Sequence, residues 1–306
     1  MTSLPKLRDD LVVVRLVERG EPCYMYRVAE TLDYYRLDEL QHRIVSLLDG
    51  TRSPEQVVAE FNAGDNKMSI DLDFLGQVVE GFGAINLFER SPEEKKRLFL
   101  EKLRDQRRAA AGAESVFGDL LDIKVSAWNP DRFFERVIPL LRFLWTPAFV
   151  AFSSACMLVM LGIWIAEWTS LMNGTIEMFT FRGKTLQDLV EFFLILLVIG
   201  FFHESAHGLT CKYFGGQVPR MGFMLIYFTP CFFVDVTDAF MFDRHSKRQW
   251  TIYAGGYIEL FLCSLATFVW VLTDPGSAIN DWCYKFMLLT GISAVVINYN
   301  PLIKLD

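Results

Sequence analysis

The hydrophobic positions of this chain follow two regimes: short alternations over the first 90 residues, then long apolar runs from about residue 143. In the first regime Leu11–Val17 is a β-branched run, and the turn Gly20-Glu21-Pro22 leads into Cys23–Val28, which predicts a hairpin. Asp38 stands as the N-cap of a helix carrying Leu40, Ile44, Leu47 and Leu48 on one face, stopped at Asp49-Gly50. Ser53-Pro54-Glu55 opens a second helix through Phe61, Asp71–Phe82 is a third, and Ala84–Phe88 predicts a short closing strand. The second regime holds four apolar segments, about Phe143–Ile165, Leu189–Phe214, Trp250–Leu272 and Tyr284–Leu305. Each is near or above the roughly 20 residues that a spanning helix needs. Met221–Val234 is also apolar but is broken by Gly222 and Pro230. It predicts a re-entrant or hairpin segment packed beside its neighbours, since irregular backbone at membrane depth is tolerated only against protein or a wet cavity.

The expected architecture is therefore a mainly α, polytopic helical membrane protein, with about four spanning helices, a re-entrant segment and a small α+β N-terminal domain. Its parts are 1–90, a cytosolic α+β domain; 91–142, a charged linker with an interfacial amphipathic helix; and 143–306, the membrane core. Ser91–Arg108 is dense in charge, and Trp128–Ile138 alternates basic with aromatic or aliphatic residues, as a helix lying on a membrane surface does.

Composition agrees: 52% of the 306 residues are hydrophobic and 14% aromatic. The net charge of −7, with no basic patch interleaved with aromatics, excludes a nucleic-acid partner. Six widely spaced cysteines without a C-x-x-C suggest neither a disulfide framework nor a thiolate metal site. Met1–Asp10 contains no apolar stretch of the kind that marks a cleavable signal. Arg132, Arg136, Arg142, Lys212, Arg220, Arg244, Lys247 and Arg248 fall on one side of the spans, against Arg182, Lys184 and Lys285 on the other. The positive-inside rule then places the N-terminus in the cytosol and the loops Met172–Thr185 and Thr273–Asp281 outside.

The chemistry concentrates at His203-Glu204-Ser205-Ala206-His207, an H-E-x-x-H pattern within the second apolar run. On a helix, residues i and i+4 share a face, so His203 and His207 can offer two imidazole nitrogens to one zinc while Glu204 lies beside the water that the metal activates. Ionisable groups are costly at membrane depth and mark functional sites there. A catalytic zinc has three protein ligands, and the last apolar run supplies a candidate: Pro301 can break the helix and bring Asp306 toward the metal. Asp235 and Asp238, which close the interrupted segment, either face the same cavity or cap a helix at the interface.

Two resemblances follow. The order of elements over the first 90 residues resembles the winged-helix peptide-recognition domain named after pyrroloquinoline-quinone biosynthesis protein D. From about Phe192 to Asp306 the chain resembles the site-2 protease family of intramembrane zinc metallopeptidases, of the bacterial peptide zinc metalloprotease type. The resemblance rests on His203, Glu204, His207 and Gly215, with Asn298, Pro301, Leu305 and Asp306 matching N-x-x-P-x-x-x-L-D. It implies that His203, His207 and Asp306 bind Zn2+, that Glu204 activates water, and that Asn298 orients the scissile carbonyl or the active-site helices. It further implies a bacterial inner-membrane endopeptidase acting on a membrane-spanning or exported peptide, with a secretion adaptor or transporter as partner. Where relatives carry an A-G-P-x-x-N turn, this chain has Ala254-Gly255-Gly256-Tyr257-Ile258-Glu259, so Glu259 joins Asn298, Asp235 and Asp238 as a substrate-binding or orienting candidate. The family motif continues with a glycine after the aspartate, so the resemblance implies a chain truncated at Asp306. The rival reading is a non-catalytic membrane component of an export system with a structural or degenerate zinc site. A channel or carrier fits less well, because the buried charges cluster at one motif.

Overall fold

A computed structural model of the chain describes residues 4–18, 20–29, 31–64, 69–85, 87–89, 122–180, 185–226 and 229–292. The chain divides into two compact units, Met1–Ser115 and Val116–Asp306.

In the first unit β1 (Leu11–Glu18) and β2 (Glu21–Val28) form the expected hairpin, turned through Gly20 at φ +87°. A third strand, β3 (Tyr34–Asp38), pairs with the other edge of β2, with Tyr35 opposite Tyr26. Of its side chains only Leu37 is buried. Its apolar alternation is therefore too short to be read from sequence. Helix α1 (Glu39–Ser46) begins at a reciprocal cap: the Asp38 carboxylate accepts from Gln41 N at 2.7 Å, and the Gln41 amide oxygen accepts from Asp38 N. Ser53 and Gln56 cap α2 (Pro54–Ala63) in the same way, and Asp71 caps α3 (Leu72–Ala84). Tyr26, Leu37, Ile44, Val45, Leu48, Val57, Phe61, Leu75, Phe82 and Leu87 close into one core. The expected closing strand is absent from the described residues: α3 runs on through Ala84, and Phe88 makes only an isolated bridge to Leu7.

The second unit begins with β4 (Asp122–Trp128), the outer strand of a sheet ordered β4-β5-β6, whose hairpin is β5 (Met221–Ile226) and β6 (Thr229–Val234). The interrupted apolar segment thus folds as a hairpin, and strand pairing satisfies its backbone. Helix α4 (Asp131–Leu141) starts after Pro130, so Trp128 ends a strand and only the rest of the expected interfacial segment is helical. Phe134 of α4 is buried against Cys211, Val218, Met221, Ala239 and Phe242, while Phe133 and Leu140 are exposed on the opposite side. Asp131 clasps both Lys212 Nζ at 2.8 Å and the amide of Val218 at 2.9 Å.

Three helices are long and apolar enough to cross a membrane: α5 (Pro147–Ala166, 20 residues), α7 (Leu186–Tyr213, 28) and α8 (His245–Leu272, 28). At 1.5 Å per residue they reach roughly 30 to 42 Å, against a hydrocarbon core of about 30 Å. The fourth expected span is described only as α9 (Ala278–Ile292); its remainder lies outside the described residues. Helix α6 (Trp168–Phe179) occupies part of what was expected to be a loop. It is held by Tyr284 of α9, whose hydroxyl donates to the Leu171 carbonyl at 2.8 Å and sits where a side chain on Gly174 would be. All six cysteines are free thiols. Ser91–Arg108, expected as a charged linker, lies outside the described residues.

One feature of the first unit is sensitive to pH. His42 stacks on Tyr24 with ring centroids 3.5 Å apart, and its Nδ1 lies 2.7 Å from the Tyr26 hydroxyl. Burial pushes the Tyr26 phenol up to about 12, so it stays protonated and donates to the imidazole. Burial, opposed by Glu39 and reinforced by Arg43, holds His42 below its usual value. The unfolded chain therefore takes up a proton that the folded unit refuses. Stability falls as pH drops below about 6.5 and levels off once the folded imidazole is also charged. Amide exchange in β2 and α1, corrected for its intrinsic pH dependence, is expected to speed up from about pH 7 to about pH 5, and His42→Gln to flatten that slope.

A candidate metal centre between two long helices

Helix α7 carries two stripes, each spaced by four residues. One is Ile195, Ile199, His203, His207 and Cys211; the other is Gly200, Glu204 and Gly208. In the first stripe Ile195 and Ile199 pack with Leu289 of α9, and the two histidines meet α8. The second stripe faces the hairpin. A Cβ on Gly200 would touch Phe232 at 3.7 Å, and one on Gly208 would meet Phe134 at 2.6 Å and Val234 at 3.2 Å. Glycine at these positions lets β6 and α4 lie close along α7. Glu204 is half-buried between the two glycines, and its charge is felt at Cys231 of β6.

The imidazoles are fixed from behind. His207 Nδ1 is 2.7 Å from the Thr251 carbonyl oxygen, and His203 Nδ1 is 2.9 Å from Glu259 Oε1. A carbonyl has no proton to give, so His207 Nδ1 must donate, and an ionised carboxylate imposes the same tautomer on His203. The two Nε2 atoms face each other at 2.9 Å, with the rings at 73°. At that distance either a shared proton or a cation can join them.

Gly255 of α8 faces the pair. A Cβ built on it would fall 2.5 Å from His203 Nε2 and 2.5 Å from His207 Nε2, so glycine is what admits both rings against α8. A tetrahedral zinc with Zn–N bonds of about 2.0–2.1 Å would space its nitrogens about 3.3 Å apart, a few tenths wider than observed. The donor set fits zinc or a similar imidazole-preferring ion. Among the described residues no third His, Cys, Asp or Glu completes a group of three. Asp306, the expected third ligand, and Asn298 lie outside the described residues.

The remaining candidates are placed as follows. Asp235 accepts from Thr237 N and Oγ1 and from Arg220 Nη2, which ties the start of the short 3-10 turn Thr237–Met241 to the loop after α7. Asp238, 3% exposed, accepts from Gln217 N at 2.7 Å and pins the same loop. Glu259 is 2% exposed and sits behind His203. Ala254–Glu259 is continuous helix within α8, not a turn. Sequence reasoning gave Gly255 no role of its own, although paired glycines inside an apolar helical run signal close approach. The Thr251 carbonyl is backbone and leaves no trace in residue identity.

Comparison with protein-family models, curated proteins and solved structures gives no match, so the site is read from its geometry alone.

The close approach at Gly255 yields a direct test. Alanine favours helix over glycine by roughly 0.5–1 kcal/mol, so Gly255→Ala carries no backbone penalty, yet its methyl would meet both imidazoles at 2.5 Å and push them apart. The variant is expected to keep its helicity by circular dichroism and to lose stoichiometric zinc by elemental analysis.

Proposed function

We propose that this chain is a membrane-embedded zinc endopeptidase acting on a membrane-spanning or exported peptide. The observation that carries the reading is the convergence of His203 and His207 Nε2 at 2.9 Å against Gly255, with Glu204 on the adjacent stripe of a helix long enough to span. His203 and His207 would hold the ion, with Asp306 as the proposed third ligand and Asn298 as a group that orients the substrate carbonyl or the helices. Bound there, zinc would supply Lewis acidity toward a peptide carbonyl and a lowered pKa for water.

The chain's own residues do the rest. Glu204, on the adjacent stripe of α7, would serve as the general base, taking a proton at its carboxylate from the attacking water and returning it to the leaving amine. The Thr251 carbonyl and Glu259 keep both Nδ1 atoms protonated, so the imidazoles remain donors through Nε2. The substrate must be locally extended, because a helical backbone has its carbonyls already hydrogen-bonded and shielded. The charge asymmetry of the loops supports an N-terminus in the cytosol, and the family resemblance supports a bacterial inner-membrane protein whose first unit would meet peptide clients or a secretion adaptor.

With zinc-loaded protein in detergent and a panel of membrane-spanning peptides, Glu204→Gln is expected to lower cleavage by about 10²–10⁴-fold while retaining the metal. Equal cleavage by both forms overturns the assignment of the base.

A further inference from the structure

One stripe of α8, Thr251, Gly255, Glu259, Cys263 and Thr267, is buried and spaced by four: its first three residues meet the histidines of α7, and Cys263 and Thr267 meet α9 and α5. Glu259 is the one acidic side chain in that stripe. It stands one turn beyond Gly255, with Oε1 2.9 Å from His203 Nδ1 and its side chain 3% exposed. The two histidines are therefore held by unlike acceptors, His203 by a carboxylate and His207 by the neutral carbonyl of Thr251. A carboxylate among apolar helices is expensive, and the register of α8 would be served as well by an apolar side chain of that size. Its chemistry explains its presence. A charged acceptor makes a shorter, stronger bond to Nδ1–H than a carbonyl does, locks the ring plane, and leaves more electron density on Nε2.

We infer that Glu259 is a positioning residue that makes His203 the stronger of the two imidazole donors to a divalent metal held by His203 and His207. This rests on the metal reading proposed above. It differs from a role in substrate contact, since Glu259 is buried behind the ligand. It also differs from a purely structural ion pair, which would hold α8 to α7 without affecting metal binding.

The test uses the full chain in detergent micelles with Zn2+ and Co2+ as probes. Zinc affinity is measured by chelator competition for the wild type, Glu259→Gln and His203→Ala, with helicity followed by circular dichroism. Wild-type protein is expected to bind one ion per chain and His203→Ala to lose it. Glu259→Gln, of the same shape, is expected to bind about 10- to 100-fold more weakly. In the cobalt form the wild type should show two exchangeable, hyperfine-shifted imidazole N–H resonances, a result that does not depend on any variant folding. Glu259→Gln should displace one of the two and leave the other in place. Unchanged affinity and unchanged resonances in Glu259→Gln overturn the positioning role while the metal site stands. A single shifted N–H in the wild type overturns the assigned tautomer, and absence of stoichiometric zinc from the wild type overturns the metal reading together with this one.

Discussion

The second unit depends on how closely α8 approaches α7 at Gly255. Only a hydrogen on that Cα leaves room for two imidazole rings between the helices. Between apolar helices in lipid, burial does not distinguish a neighbouring helix from an acyl chain, so small residues and polar ties set the register. The stripe from Thr251 to Thr267 supplies the small residues. The ties run from α5 to α8: Ser153 hydrogen-bonds the Tyr257 hydroxyl, and Trp164 Nε1 donates to Thr267 Oγ1 at 3.1 Å. Each places a buried polar atom on a partner, so the helices have one arrangement in which all of them are satisfied.

Helix α7 meets two demands on adjacent faces. Its histidine stripe has to face α8, where the acceptors for Nδ1 are, and its glycine stripe has to admit β6 and Phe134 at backbone range. Glu204 lies where the two faces meet, one residue from His203 and flanked by Gly200 and Gly208. The Asp131 clasp on Lys212 and Val218, and the Asp238 bond to Gln217, fix the loop that follows and so the angle at which the hairpin returns along α7. A three-stranded sheet in a largely helical unit is thus accounted for by the small residues it packs against.

Most of the elements were legible because their signals are local. Asp38, Ser53 and Asp71 are caps whose hydrogen bonds form within three residues, and the long helices declare themselves by uninterrupted apolar length. The H-E-x-x-H pair is local in the same sense, since i and i+4 share a face whatever the tertiary fold. What escaped is what only tertiary pairing decides. Strand β3 has one buried side chain and exists because β2 offers it an edge. Helix α6 replaces a loop because Tyr284, more than a hundred residues away, packs over Gly174. At the site, Glu259 stood out as a departure from a motif, but its relation to His203, like that of Gly255, depends on the helix crossing and cannot be read from spacing along the chain.

The electrostatics of this crossing turn on the two Nδ1 bonds. Donation to the Thr251 carbonyl and to Glu259 commits both Nδ1 atoms, so the chemistry of the pair is left to the Nε2 atoms, 2.9 Å apart. Glu259 stands behind His203, 2% exposed, in a largely apolar helix. A buried carboxylate costs several kcal/mol against water unless an opposite charge is near. A proton shared between the two Nε2 atoms would supply one positive charge there; under the proposed reading a divalent ion would supply two, without requiring either histidine to give up its Nδ1 donor bond. Under that reading the same charge that makes the folded crossing tolerable is the charge that polarises a peptide carbonyl.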